Sequence, residues 1–227
     1  MDLIILAGGS GTRIQSISQG IPKSLLPIGK VVFMDKILSN VNRYDISHIY
    51  LSLYYKPELF KEYLEHNNYQ ENITPLVESE LMGTGGAIKY IIENTSISDP
   101  FFVLNGDTLS NTNLKEMQNS FFERNYDAMI GISHIKNSSR YGMVRFESDQ
   151  LIEFSEKGSL FAGWINNGHY ILKQDVLNGL SGNFSIEYDV FPKLAEKKRL
   201  GVFKVDNDDF IDMGIPEDYE KLCEKYK

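Results

Sequence analysis

An apolar run, Leu3-Ile4-Ile5-Leu6-Ala7, passes straight into Gly8-Gly9-Ser10-Gly11-Thr12-Arg13. Branched aliphatics with no polar alternation suit a strand covered on both faces, as in a parallel sheet. Glycines directly after such a strand let backbone N–H groups turn toward an anion. Arg13, and Lys23 in Ile21-Pro22-Lys23, bring fixed positive charge to the same place. The combination predicts an α/β fold that holds a nucleoside triphosphate over the end of its first strand. A dinucleotide fingerprint is excluded, because Gly9-Ser10-Gly11-Thr12-Arg13-Ile14 ends in isoleucine where a third glycine is required. A Walker-type loop fails too: Lys23-Ser24 follows Pro22, and Gly29-Lys30 is followed by Val31. A purely structural glycine turn gives no reason for Arg13 and Pro22-Lys23.

Beyond the loop, helical and strand periodicities alternate. Helices are expected over 33–44, 57–64, 87–92 and 114–122, and strands over 49–53, 73–77, 101–104 and 128–133. Gly83-Thr84-Gly85-Gly86 reads as a loop opening the third helix. The pattern then changes to short strands over 143–146, 151–154 and 164–172, with helices over 188–197 and 216–226 around a strand at 201–205. A mixed-sheet second half is expected. The 227 residues allow one large α/β unit, and the net charge of −8 argues against a nucleic-acid or membrane-surface binder. Polyanionic ligands must then meet local positive groups. The single cysteine, Cys223, permits no intrachain disulfide, and no charged leader precedes the first strand, so a reducing cytoplasm is expected.

Asp107 directly follows the strand expected at 101–104, at the sheet edge where open α/β folds bind ligands. An isolated Asp there is ordinarily a turn or cap residue. Beside a triphosphate, it is more economically a Mg²⁺ ligand. Asp212, after the apolar Phe210-Ile211, offers a second carboxylate from another strand, whereas the run Asp206-Asn207-Asp208-Asp209 reads as a solvated turn. His48, His66, His134 and His169 are scattered and assigned to packing or surface.

Taken together, G-G-x-G-T-R followed by P-K resembles the signature of the sugar-1-phosphate nucleotidyltransferases. Leu104-Asn105-Gly106-Asp107, Gly83-Thr84-Gly85-Gly86, Glu156-Lys157, Asn166-Asn167-Gly168-His169-Tyr170 and Asp212-Met213-Gly214-Ile215-Pro216-Glu217-Asp218-Tyr219 share that family's order and spacing. The resemblance covers nearly the whole chain. It implies a Rossmann-like, three-layer αβα fold of GT-A-like type with a mixed, mainly parallel central sheet. One domain is expected over 1–227, with a nucleotide half to about 133 and a sugar-phosphate half from about 134.

By the same resemblance, Leu6, Ala7, Gly8, Gly9, Gly11, Thr12, Gly83 and Thr84 bind the nucleotide, and Asp107 and Asp212 hold Mg²⁺. Arg13 clamps the leaving pyrophosphate and Lys23 neutralises charge at the α-phosphate. Lys157 grips the sugar phosphate, Glu156 accepts sugar hydroxyls, and Gly142 and Asn166 contact the sugar. For Asn167, a turn residue tolerating positive φ is an equally good reading. Both substrates are anions, so catalysis requires cations that fit the transition state better than the ground state. No general base is needed, since a phosphate monoester has a second pKa of about 6.

Glu78 bears on the choice of base. Relatives using UTP or dTTP commonly carry Gln there, which both donates and accepts; a carboxylate only accepts. That matches the adjacent N1–H and N2–H₂ donors of guanine and favours GTP, although Glu80 lies close enough to claim the role. The short chain, together with Ser139-Arg140-Tyr141-Gly142, resembles the D-glycero-α-D-manno-heptose 1-phosphate guanylyltransferases of bacterial surface-glycan synthesis. Mannose-1-phosphate guanylyltransferases and UTP-, CTP- or dTTP-using hexose enzymes remain alternatives. Ile14, Ser24, Met213 and Ile215 depart from the family pattern without removing a charge or a needed glycine. A nucleotide-sensing relative without turnover is disfavoured by the retained Arg13, Lys23, Asp107 and Asp212. A metal-dependent glycosyltransferase is disfavoured because Asn105-Gly106-Asp107 is not a D-x-D motif. Subunit association is an open possibility.

Overall fold

The computed structural model describes residues 1–69, 71–136, 140–155, 162–206 and 209–227. The first strand, β1 (Leu3–Leu6), runs into the glycine loop, a tight turn at Thr12–Ile14 and the short α1 (Gln15–Ser18). A small hairpin, β2 (Pro27–Ile28) and β3 (Val31–Val32), leads to α2 (Phe33–Val41). Next come β4 (Ile49–Leu53), α3 (Pro57–His66), β5 (Ile73–Val77), α4 (Gly83–Asn94) and β6 (Phe101–Asn105). After the two-residue β7 (Thr108–Leu109) and α5 (Leu114–Arg124), the chain forms β8 (Ala128–Ile135), β9 (Met143–Glu147), β10 (Gln150–Ser155) and β11 (Gly163–Leu172). A wide π turn (Ile186–Val190), α6 (Phe191–Glu196), β12 (Leu200–Val205), β13 (Ile211–Asp212) and α7 (Pro216–Lys225) complete it.

Among the described residues, nine strands form one sheet in the order β5-β4-β1-β6-β11-β8-β12-β10-β9. The first four are parallel, as the unalternated Leu3-Ile4-Ile5-Leu6 requires. Direction reverses at β11, which is antiparallel to both β6 and β8, and again at β10. Of these strands β10 and β11 oppose the rest, so the described sheet is mixed, with most of its strands running the same way. In register, Leu6 lies between Ser52 and Asn105, so three strand ends meet at one edge.

Helices cover both faces, which makes three layers. Leu3 and Ile5 pack with Phe33 and Ile37 of α2, Phe60 of α3, Phe121 of α5 and Leu222 of α7. Ile4 points the other way, to Ile88 and Ile91 of α4 and Phe191 of α6. Each such buried aliphatic or aromatic contributes about 1.5–3 kcal/mol.

Helix α4 starts at Gly83, earlier than its periodicity predicts. The glycines belong to the helix because a Cβ at Gly85 would overlap the Phe184 ring, and one at Gly86 would lie 2.5 Å from the Gly182 carbonyl. The second unforeseen feature is the ribbon between β7 and β13, each only two residues long.

Candidate active site

Two adjoining clefts open at the carboxyl edge of the sheet. The first, about 260 Å³, is walled by Leu6, Ala7, Gly8 and Gly9 at the end of β1, with Gly83 and Thr84 from α4 opposite. Lys23, Glu78 and Asp107 also line it. Gly106 lets the strand ends approach: its N–H donates to the Leu6 carbonyl at 2.9 Å, and a Cβ there would sit 2.7 Å from the same oxygen.

Lys23 Nζ donates to Asp107 Oδ2 at 2.5 Å. Two local devices hold this pair. Gly11 has φ +62°, and a Cβ on it would lie 2.7 Å from Lys23 Cγ, so its glycine character lets the loop lie against the lysine stem. Ser24 Oγ donates at 2.5 Å to the Gly106 carbonyl, tying the Pro22-Lys23 segment to the turn that carries Asp107.

Glu78 is 6% exposed. Ser52 Oγ donates to its Oε1 at 2.7 Å and the Met82 N–H to its Oε2 at 3.2 Å. Burial pushes the carboxyl upward, and these two hydrogen bonds pull the other way. Glu80 is exposed and lies outside the wall of this cleft.

Asp212 reaches the same edge through the ribbon. It pairs with Thr108, and the Met213 N–H donates to the Asp107 carbonyl at 2.9 Å, so the turn that carries Asp107 lies against the strand that carries Asp212. Burial and then the negative charge of Asp107 push the Asp212 carboxyl up; Lys23, Arg13 and Arg140 pull it down. All five charges therefore act within one local field.

Arg13 and Asp212 line the second cleft, of about 800 Å³, together with Gly142 and Asn166. Asn166 Nδ2 donates to the Tyr170 hydroxyl at 3.0 Å. Arg140 belongs here as well, donating from Nη2 to Asp218 Oδ2 at 2.5 Å and lying 5.3 Å from the Tyr141 ring. Burial and the nearby Asp212 push the Tyr141 hydroxyl upward.

Not every expected residue lies where its role implies. Gly11 supports Lys23, Thr12 is exposed and outside the walls of both clefts, and Arg13 lines the second cleft instead of the first. Glu156 and Lys157 lie outside the described residues. The positive φ near Asn167 falls on Gly168, at +80°. Asn167 is instead a buried hub whose Nδ2 lies within 3.0–3.1 Å of Ser110, Thr112 and Ser133 hydroxyls. Ser24, Ser52, Arg140, Tyr141, Glu187 and Tyr188 were not anticipated as site residues. For Arg140 and Tyr141 a signal was present, since they flank Gly142 in the motif used to place the family.

A family model described as nucleotidyl transferase matches residues 3–227. The chain belongs to that family. Among nucleotidyl transferases it is 34% identical over 223 residues to the D-glycero-α-D-manno-heptose 1-phosphate guanylyltransferase of Aneurinibacillus thermoaerophilus, covering 97% of this chain and 96% of the relative. The Campylobacter jejuni protein of the same name is 33% identical, with 96% and 97% covered. The crystal structure of HddC from Yersinia pseudotuberculosis complexed with GMP-PN superposes with a TM-score of 0.86 at 33% identity, covering 100% of this chain and 99% of that one.

Proposed function

We propose that this nucleotidyl transferase moves GMP from GTP to a sugar 1-phosphate, D-glycero-α-D-manno-heptose 1-phosphate, releasing pyrophosphate in the cytoplasm. The observation that carries the reading is the meeting of the two clefts at Asp107 and Asp212, with Lys23 on one side and Arg13 on the other. A donor nucleotide in the smaller cleft and an acceptor in the larger would bring their phosphates together there.

A sugar-phosphate oxygen attacks the α-phosphorus; the new P–O bond forms as the bond to the β-phosphate oxygen breaks, and pyrophosphate leaves with that electron pair. No proton has to move, because the attacking monoester is already ionised near neutrality, with a second pKa of about 6. Lys23 offsets charge at the α-phosphate, an interaction that strengthens as charge builds in the transition state, and Arg13, which lines the acceptor cleft, is assigned to the departing pyrophosphate on the strength of the family motif alone. Lys157 and Glu156 are assigned to the sugar phosphate and sugar hydroxyls on the strength of the family motif.

Among the described residues no group of three or more His, Cys, Asp or Glu side chains is poised for a metal. Mg²⁺ does not require one, since it is usually bound by one or two carboxylates plus substrate phosphates and water. Asp107 and Asp212 fit that donor set: two half-buried carboxylates, one in the turn that opens β7 and one on β13 beside it, with Asp212 raised by burial and then by the charge of Asp107. When bound there, Mg²⁺ would supply the positive charge that lets two phosphate groups approach.

For the base, Glu78 is supported by its place in the first cleft and by its chemistry. Each oxygen already accepts one protein hydrogen bond and retains a lone pair, which suits the donor edge of guanine. The relative crystallised with GMP-PN adds independent support. The test is a matrix of GTP, ATP, UTP and CTP against heptose, mannose and glucose 1-phosphates, read by pyrophosphate release with Mg²⁺. The highest rate is expected for GTP with heptose 1-phosphate, and no release from any pair would overturn the proposal.

A further inference from the structure

The π turn Ile186–Val190 forms part of the wall of the larger cleft. Ser185 fixes it: its Oγ accepts the N–H of Glu187 at 3.2 Å and of Tyr188 at 3.3 Å, while its own N–H donates to Asp189 Oδ2 at 2.8 Å. Wide turns of this kind are enriched at functional sites. This one brings two consecutive side chains to the cleft.

Glu187 connects the two clefts. Its Oε2 accepts from Thr84 Oγ1 and from Ser185 Oγ, each at 2.6 Å, and Thr84 lines the nucleotide side. Its Oε1 accepts from the Tyr170 hydroxyl across 3.3 Å, and that hydroxyl in turn accepts from Asn166. Oε1 is therefore the less committed oxygen, held in place on the wall of the larger cleft. Tyr188 is 79% exposed, the largest exposure among the exposed large hydrophobic side chains of the described residues. It shares the wall with Phe154 and Pro192, which makes an apolar platform beside a carboxylate.

A sugar presents hydroxyl donors at its rim and C–H groups on its faces and exocyclic arm. We propose that Glu187 and Tyr188 form the sugar-binding wall and that Tyr188 is its discriminating part: Glu187 Oε1 accepts a hydrogen bond from a ring hydroxyl that hexose and heptose share, and Tyr188 covers the exocyclic carbons, so a heptose gains contact that a hexose lacks. This rests on the reading of the chain as a sugar-1-phosphate guanylyltransferase. One additional carbon in an apolar contact is worth about 10–200-fold in discrimination, and the openness of Tyr188 places its share at the low end.

The experiment compares kcat/KM for heptose and mannose 1-phosphates, with saturating GTP, in the parent, Tyr188→Ala, Tyr188→Phe and Glu187→Gln proteins. Tyr188→Ala is expected to lower the heptose-to-mannose ratio about tenfold through KM for heptose 1-phosphate, with KM for GTP and the melting temperature unchanged. Tyr188→Phe keeps the ratio. Glu187→Gln lowers kcat/KM for both sugars and leaves the ratio alone. An unaltered ratio in Tyr188→Ala overturns the assignment, as does a ratio lost equally in Tyr188→Phe. Titration calorimetry of each sugar 1-phosphate reads the same preference without turnover. A parent that binds heptose 1-phosphate through Tyr188 but releases no pyrophosphate would overturn the proposed function and leave the wall standing.

Discussion

The two clefts are built by different means. The smaller lies at the ends of parallel strands, and its polar groups already hold one another: Lys23 with Asp107, Glu78 with Ser52 and the Met82 N–H, Ser24 with Gly106. The larger opens where the sheet turns antiparallel, and much of its wall comes from a π turn and from the segment at Arg140, Tyr141 and Gly142. Sites on rigid elements hold geometry more precisely than sites on loops, and loops change more readily. Phosphate and base handling would thus be preset in the first cleft, leaving sugar choice to the second.

The hardest test of that division is Asp107→Asn, which removes charge where the clefts meet and leaves volume unchanged. Turnover is expected to fall by about 10²–10³-fold, as for other groups that stabilise transition-state charge, with the thermal melt close to that of the parent. Pyrophosphate release and circular dichroism check the two halves of this statement. A variant retaining even a tenth of parental activity would mean that the carboxylate edge is not where the substrates react.

A second test addresses the seam between β6 and β11, where the sheet turns antiparallel. His169 sits on β11 opposite Leu104 of β6, fully inside, and among the described residues its Nδ1 has no hydrogen-bond partner. Burial pushes its pKa down from 6.5 to about 4. The folded state therefore keeps the imidazole neutral while the unfolded chain binds a proton below pH 6.5. Its contribution to stability is therefore complete above that value and is lost as pH falls toward 4, a loss on the order of 3 kcal/mol. Denaturant melts between pH 7.5 and 4 should show this slope in the parent and a shallower one in His169→Gln. Equal slopes would show that the seam does not carry the acid sensitivity.

The same contrast explains what could be read in the chain. Leu3-Ile4-Ile5-Leu6 with its glycines was legible because a doubly covered strand and a phosphate turn each leave a local pattern. Asp107 and Asp212 were legible as a pair because each follows a short apolar run. Glu187 was not, since its partners Thr84 and Tyr170 are distant in sequence and no local pattern marks a π turn. Gly85 and Gly86 carried a misleading signal: glycine ordinarily interrupts a helix, but here it gives close contact with residues 182–184. Nor did sequence reveal that Gly11 serves Lys23, because that contact depends on a left-handed backbone at φ +62°.

Base choice offers a finer probe of the smaller cleft. Glu78→Gln turns one acceptor oxygen into a donor, and hydrogen bonds to a charged group are worth about 1.5–3 kcal/mol. The preference for GTP over UTP should fall by about 10-fold or more in competition assays, with the heptose-to-mannose ratio untouched. A shift in the sugar ratio instead would break the separation between the clefts.

The smallest expected effect belongs to Ser24. Its hydroxyl is buried and spans 2.5 Å to the Gly106 carbonyl, so Ser24→Ala leaves that carbonyl without this partner and frees the Lys23 segment from the Asp107 turn. A neutral hydrogen bond is worth about 1 kcal/mol, or about fivefold in rate if all of it is felt at Lys23. A positioning role predicts that kcat falls by that factor, while KM for the sugar 1-phosphate and the sugar ratio stay put. A purely structural role would lower the melting temperature and leave kcat unchanged. Lys23→Arg supplies the reference, because it keeps the charge but replaces the compact ammonium beside Asp107 with a planar guanidinium. If Ser24→Ala lowers kcat in the parent but has no further effect in Lys23→Arg, the two residues act as one unit, and the rigidity of the smaller cleft is part of its chemistry.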